Sequence, residues 1–119
     1  NEKITVEKIN HIAQKIGIDD FGTKFTNGFL TKIQDGNSQL SYSNKKIILL
    51  LRALATDNKI IILEDPYDGL SKEIKEKMMV FLQELAKEKT IIVVTQDDDF
   101  IQKAHQHFHM INGQLETKK

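Results

Sequence analysis

The spacing of apolar residues divides the chain into stretches that each predict an element. From Thr5 to Ile16 the apolar positions Val6, Ile9, Ile12, Ala13 and Ile16 recur every three or four residues, the period of a helix with one buried face. Thr5 suits the N-cap and Gly17 the stop. The stretch 18–39 is polar, carries Gly22, Gly28 and Gly36, and reads as loop with short helical turns at most. "KKIILLLRALA" then resumes an apolar helix that begins near Ser41 or Ser43. Two stretches follow, Lys59 to Leu63 with its unbroken Ile and Leu run and "TIIVVT" from Thr90 to Thr95 with the same character, and both read as strands buried on two sides. Between them Ile74, Met78, Phe81, Leu82 and Leu85 mark the core-facing side of a helix capped by Ser71. Strand, helix, strand at this length implies a right-handed parallel crossover. A short helix from Asp98 to Lys103 and a hairpin in "HQHFHMINGQLE" close the pattern.

Composition trims the functions this pattern could serve. A length of 119 residues suits one domain. Its 17 Lys plus Arg balance 17 Asp plus Glu, so the basic footprint of a nucleic-acid binder is missing. There is no cysteine, hence no disulfide framework and no thiolate metal site, as in many proteins of the reducing cytosol. No apolar run nears the roughly 20 residues of a membrane span, and "NEKITVEKIN" lacks a signal peptide's apolar centre. The chain is therefore expected not to insert into a membrane.

Candidate chemistry gathers where the first strand ends. Glu64 and Asp65 stand before Pro66, the only proline. They fall at the C-terminal edge of a parallel strand, where open α/β sheets bind ligands. A magnesium ion or an attacking water there would need such oxygens; the alternative is an acid pair that only solvates the strand end. Asp97, Asp98 and Asp99 follow the second strand and could join the pair in a five-carboxylate metal site, although Asp98 or Asp99 as the cap of the next helix is the preferred reading. His105, His107 and His109 alternate, so a strand would put them on one face, within reach of one transition-metal ion. The preferred reading is a solvent-facing side of an edge strand, with Phe108 and Met110 turned inward. Met78, Met79 and Phe81 read as core, and Tyr67 as a surface turn residue.

The order of these segments resembles the ATP-binding cassette (ABC) ATPases. That family has a signature helix opening Leu-Ser-Gly-Gly-Gln and running to Arg-Ala-Leu, a strand ending Asp-Glu-Pro, a Ser-Ala-Leu-Asp turn, and a second strand before a switch histidine. Here the matching text is "LSYSNKKIILLLRAL" (40–54), "IIILEDP" (60–66), "DGLS" (68–71) and "TIIVVTQ" (90–96), with "AHQHFHMINGQL" standing for the closing strand and turn. Upstream, "IGIDDFGTKFTNGFLTKIQDGNSQLS" is similar to the helical subdomain of exporter-type cassettes, with Thr31, Ile33 and Gly36 at matching points. The resemblance implies a partial P-loop NTPase fold of α/β class: parallel strands with crossover helices and an N-terminal helical subdomain. It makes residues 1–119 one partial nucleotide-binding domain, with 1–56 the helical subdomain and signature helix and 57–119 the α/β part. ATP and magnesium are the implied cofactors of the parent, a second nucleotide-binding domain and a transporter's transmembrane domain the implied partners, and the cytoplasmic side of the cell membrane the implied place.

Departures from the family pattern fall at functional points. No Gly-x-x-x-x-Gly-Lys-Ser/Thr loop occurs; "GIDDFGTK" (17–24) has the glycine interval but inverts the last two residues and follows a predicted helix. The acid pair is reversed, so Glu64 takes the magnesium position and Asp65 the catalytic base, one methylene short. Tyr42 and Ser43 replace the signature glycines, while Ser41 keeps its hydroxyl and Asn44 replaces glutamine. Gln96 replaces the switch histidine, and Ser71 the turn aspartate. The implied roles are Ser41 and Asn44 facing a nucleotide across a dimer, Glu64 on magnesium, Asp65 as base and Gln96 as γ-phosphate sensor. The isolated chain is expected to bind ATP weakly and not to hydrolyse it. Two alternatives are a non-catalytic dimerisation or regulatory module and the acidic phosphotransfer site.

Overall fold

The computed structural model describes residues 5–18 and 41–118. Apart from Ile18, which is buried in the core, the predicted loop 18–39, with Thr31, Ile33 and Gly36, lies outside them. Helix α1 spans Val6–Ile16; the Thr5 hydroxyl accepts from the Lys8 amide at 3.2 Å, and Gly17 at φ 79° closes the helix in the left-handed conformation that glycine adopts without strain. Helix α2 is Tyr42–Leu54 with Ser41 as its cap. Strand β1 (Ile60–Glu64), helix α3 (Lys72–Leu85, capped by Ser71) and strand β2 (Thr90–Val94) follow, then α4 (Asp98–Lys103), β3 (His107–Ile111) and β4 (Gln114–Lys118).

Strands β1 and β2 pair in parallel, from Ile60 opposite Thr90 to Glu64 opposite Val94. Their inward side chains, Ile61 and Leu63 with Ile91 and Val93, join a core built from Ile12 and Ile16 of α1, Leu50 and Leu54 of α2, and Met78 and Leu82 of α3. At about 25 cal/mol per Å² of apolar surface removed from water, each such side chain contributes roughly 1.5–3 kcal/mol. The expectation of strands buried on two sides fails: Ile60 and Ile62 are 60% and 66% exposed, and Ile92 and Val94 46% and 56%. A parallel sheet in α/β proteins is covered on both faces, and the described residues cover one.

The closing hairpin pairs His107 with Lys118 through Ile111 with Gln114, a sheet separate from β1 and β2. Here the predicted orientation is reversed. Phe108 and Met110 are 47% and 63% exposed, whereas His107 and His109 are half-buried. The reason is that the hairpin does not lay its apolar side on the core, so Phe108, Met110 and Leu115 share an outward face. His105 precedes the strand, so only His107 and His109 share its face, with ring centroids 6.4 Å apart. His109 Nδ1 is shielded there without a hydrogen-bond partner.

Candidate functional site

The parallel register brings Glu64 and Val94 level, so the acid pair and Gln96 leave neighbouring strands at the same C-terminal edge. Glu64 ends β1 with an exposed side chain, and its carbonyl accepts from Lys46 Nζ of α2 at 3.4 Å. Asp65 is half-buried. Its N–H donates to the Val94 carbonyl at 2.9 Å, extending the strand pairing one residue, and its φ of 42° lies in the left-handed region. A non-glycine residue held there stores strain, a pattern that clusters at functional sites. The turn that follows is tight: Asp68 N donates to the Asp65 carbonyl and Leu70 N to the Tyr67 carbonyl, both at 3.0 Å.

Helix α2 starts beside this turn. The Ser41 hydroxyl accepts from the Asn44 amide at 3.1 Å, which occupies one lone pair in capping. Tyr42 donates its phenol to the Asp68 carboxylate at 2.8 Å, and the Ser43 hydroxyl donates to the Gly69 carbonyl at 3.1 Å. The hydrogen bond to Asp68, and then its charge, hold the Tyr42 phenol above the usual tyrosine range. Gly69 has φ 79°, and a Cβ there would stand 3.3 Å from Ser43 Oγ. The two residues that replace glycines in the signature thus clasp the turn after the acid pair.

On the other flank, Gln96 is exposed between Thr95 and Asp97. Asp97, rather than Asp98 or Asp99, caps α4: its carboxylate accepts from the Asp99 and Phe100 amides. The cap falls on Asp97 because its backbone is held just before the helix, its N–H donating to the Thr95 hydroxyl at 3.0 Å. Lys75 of α3 donates to Asp97 at 2.5 Å and to Asp99 at 3.1 Å, with its ammonium 5.1 Å from the centre of the Tyr67 ring. The Lys75 hydrogen bond draws Asp97 below the ordinary carboxylate range, and the two acids raise Lys75 above the ordinary lysine range. A lysine therefore neutralises two of the acids proposed for a five-carboxylate site, and no group of three or more metal-ligating side chains occurs among the described residues. Tyr67 is not a surface turn residue: following the buried Pro66, it is half-buried and packs against the core, its ring 5.5 Å from that of Phe100.

Sequence reasoning placed Glu64, Asp65 and Gln96 at one edge and missed Lys75 and Asp68. The run of three aspartates asked for a cation, but no local signal says which lysine answers. For magnesium, the exposed Glu64 carboxylate beside Asp65 offers hard oxygen donors and fits. For ATP, the 119 residues hold no glycine-rich phosphate loop.

Similarity to known proteins runs nearly the full length of the chain. It is 29% identical over 117 residues to the human ATP-binding cassette sub-family B member 5, covering 98% of this chain and 9% of that protein. It is 27% identical over 118 residues to the glutathione/L-cysteine transport system ATP-binding/permease protein CydD of Bacillus subtilis, covering 99% of this chain and 20% of that protein. A solved bacterial Atm1-family ABC exporter with ATP bound superposes with a TM-score of 0.78 at 16% identity, over 95% of this chain and 20% of that one. No protein-family model matches. The chain thus spans a fifth or less of these relatives. The fold is a partial P-loop ABC ATPase fold, and the likenesses fit a C-terminal ABC ATPase fragment.

Proposed function

We infer that this fragment of an ABC exporter serves, in its parent, the coupling of ATP binding and hydrolysis to transport. The observation that carries the reading is the joint exit of the acid pair and Gln96 from two paired parallel strands. Glu64 would hold magnesium, which supplies charge neutralisation at the phosphates. Asp65 would orient water as a base, its carboxylate set back by one methylene from the glutamate usual in the family. A displacement of about 1 Å can cost on the order of a hundredfold in rate. Gln96 would offer an amide N–H to the terminal phosphate, without the titrating ring of a histidine. Ser41 and Asn44, at the start of α2, would face a nucleotide carried by a second nucleotide-binding domain. A transmembrane domain is the other partner, and the chain would sit at the cytoplasmic side of the membrane. Among the described residues, no helix is long and apolar enough to cross a membrane.

One observation favours a second reading, a non-catalytic dimerisation or regulatory module. Tyr42 and Ser43 fill the signature positions and are engaged with Asp68 and Gly69, so close approach of a phosphate to those amides is hindered. A chimera separates the two. Residues 1–119 replace the corresponding stretch of the Bacillus subtilis relative, and ATP binding and turnover are measured. The catalytic reading expects Mg-ATP binding with slow hydrolysis, raised on the order of a hundredfold by the double change Glu64→Asp with Asp65→Glu. Binding with no gain from the exchange would favour the module. For the chain alone, calorimetry is expected to show no micromolar binding of Mg-ATP; micromolar affinity lost with Glu64→Ala and Asp65→Ala would overturn that expectation.

A further inference from the structure

Of the ion pairs among the described residues, Lys75 with Asp97 is set apart by burial: the two side chains are 18% and 15% exposed. The helix-surface pair Lys77 with Glu73 stands at 47% and 77%, and Lys87 with Glu84 at 71% and 65%. Exposed pairs of that kind contribute little stability and fix little. The Lys75 pair is sheltered and part of a network, which makes its geometry determinate.

Every polar group of Asp97 that an ion or donor can reach is committed. One carboxylate oxygen accepts from the Asp99 and Phe100 amides at 2.9 and 3.3 Å, the other accepts from Lys75, and the backbone N–H donates to the Thr95 hydroxyl. The Thr95 to Asp97 hydrogen bond spans Gln96, so the backbone on both sides of Gln96 is tied. The same ammonium lies over Tyr67, two residues beyond Asp65, and Tyr67 packs on Phe100, whose amide Asp97 caps. Lys75 therefore touches both loops that leave the sheet edge. Without it, Asp97 and Asp99 would lose the cation they share and repel one another at the start of α4.

We propose that Lys75 is a positioning residue of this site: its ammonium, seated between Asp97 and Asp99 and over the Tyr67 ring, fixes Gln96 relative to the loop that carries Asp65. The proposal deepens the exporter reading and rests on it for the role of Gln96. Lys75 itself does not touch substrate; it acts through Asp97 and Tyr67.

The test has two arms. In the chain itself, nuclear magnetic resonance follows the backbone and side-chain amides of Gln96 and the hydrogen exchange of the Asp97 amide. Lys75→Met is expected to shift and broaden the Gln96 signals and to speed Asp97 exchange by roughly tenfold, the size of a local opening. Lys75→Arg, which keeps the charge and donors, is expected to restore them. Unchanged Gln96 signals in the Met variant, or no rescue by Arg, would overturn the proposal. Should the Met variant unfold, Asp99→Asn weakens the same seat from the surface and is expected to give a milder shift at Gln96; no shift would again overturn it. In the chimera, Lys75→Met is expected to lower kcat for ATP with KM unchanged, and an equal loss in both would count against positioning. If the unaltered chimera binds no ATP, the exporter reading fails, while the resonance arm still decides the role of Lys75.

Discussion

Asp97 carries more of the local architecture than its neighbours because three separate constraints converge on one carboxylate and its amide. The pH dependence follows from the direction of its shift. A carboxyl held below its ordinary value of 3.8 by Lys75 contributes stability that is present above that value and lost as pH falls through the lowered one. Lys75, raised above its ordinary 10.5, contributes stability present below that value and lost as pH rises through the raised one. Asp99, also on Lys75, faces the same ammonium and keeps part of the pairing when Asp97 is changed. Asp97→Asn retains the ability to cap a helix but removes the charge. Urea unfolding should therefore show the variant less stable than the unaltered chain near neutrality, with the gap closing at pH below the ordinary carboxylate value. A gap that stays constant into acid would mean the ion pair contributes nothing.

At the level of elements, the caps behave as local chemistry predicts. Ser71 accepts from the Ile74 amide at 3.3 Å and starts α3, the crossover on which the parallel pairing depends. Ser71→Ala is expected to cost about 1 kcal/mol of stability in denaturant unfolding, and no measurable change would show that the α3 start is held by packing alone. Caps and stops such as Thr5, Gly17 and Ser71 were legible because donor and acceptor lie within one turn of sequence. The two-faced character of β1 was not, since "IIIL" has no alternation to reveal which side the described residues leave open. In the hairpin, alternation was visible but its sense was not: period two says that His107 and His109 share a side, and only the placement of the hairpin says which side is sheltered. The acid pair was legible from its position after an apolar run, whereas Lys75 meets Asp97 across 22 residues of sequence and so left no local trace.

Across the whole molecule, the open side of the parallel pair is the feature with the largest physical consequence. Ile60, Ile62, Ile92 and Val94 form one apolar surface on strands that are both sheet edges among the described residues. Such a surface with free strand edges favours strand addition or self-association, and a formal net charge of zero supplies no repulsion to oppose it. Light scattering should show the isolated chain associating as concentration rises. Ile62→Lys, at an outward position, should suppress association with little loss of fold, and an unaltered chain that stays monomeric throughout the range would refute the idea.

The clasp at the start of α2 has an optical counterpart. The chain has no tryptophan and two tyrosines, and both stand against the turn after the acid pair, Tyr42 through Asp68 and Tyr67 beneath Lys75. Its tyrosine emission therefore originates within one small region. A phenol hydrogen-bonded to a carboxylate emits weakly, so release of Tyr42 from Asp68 would brighten the unlabelled protein and make the turn visible without a probe.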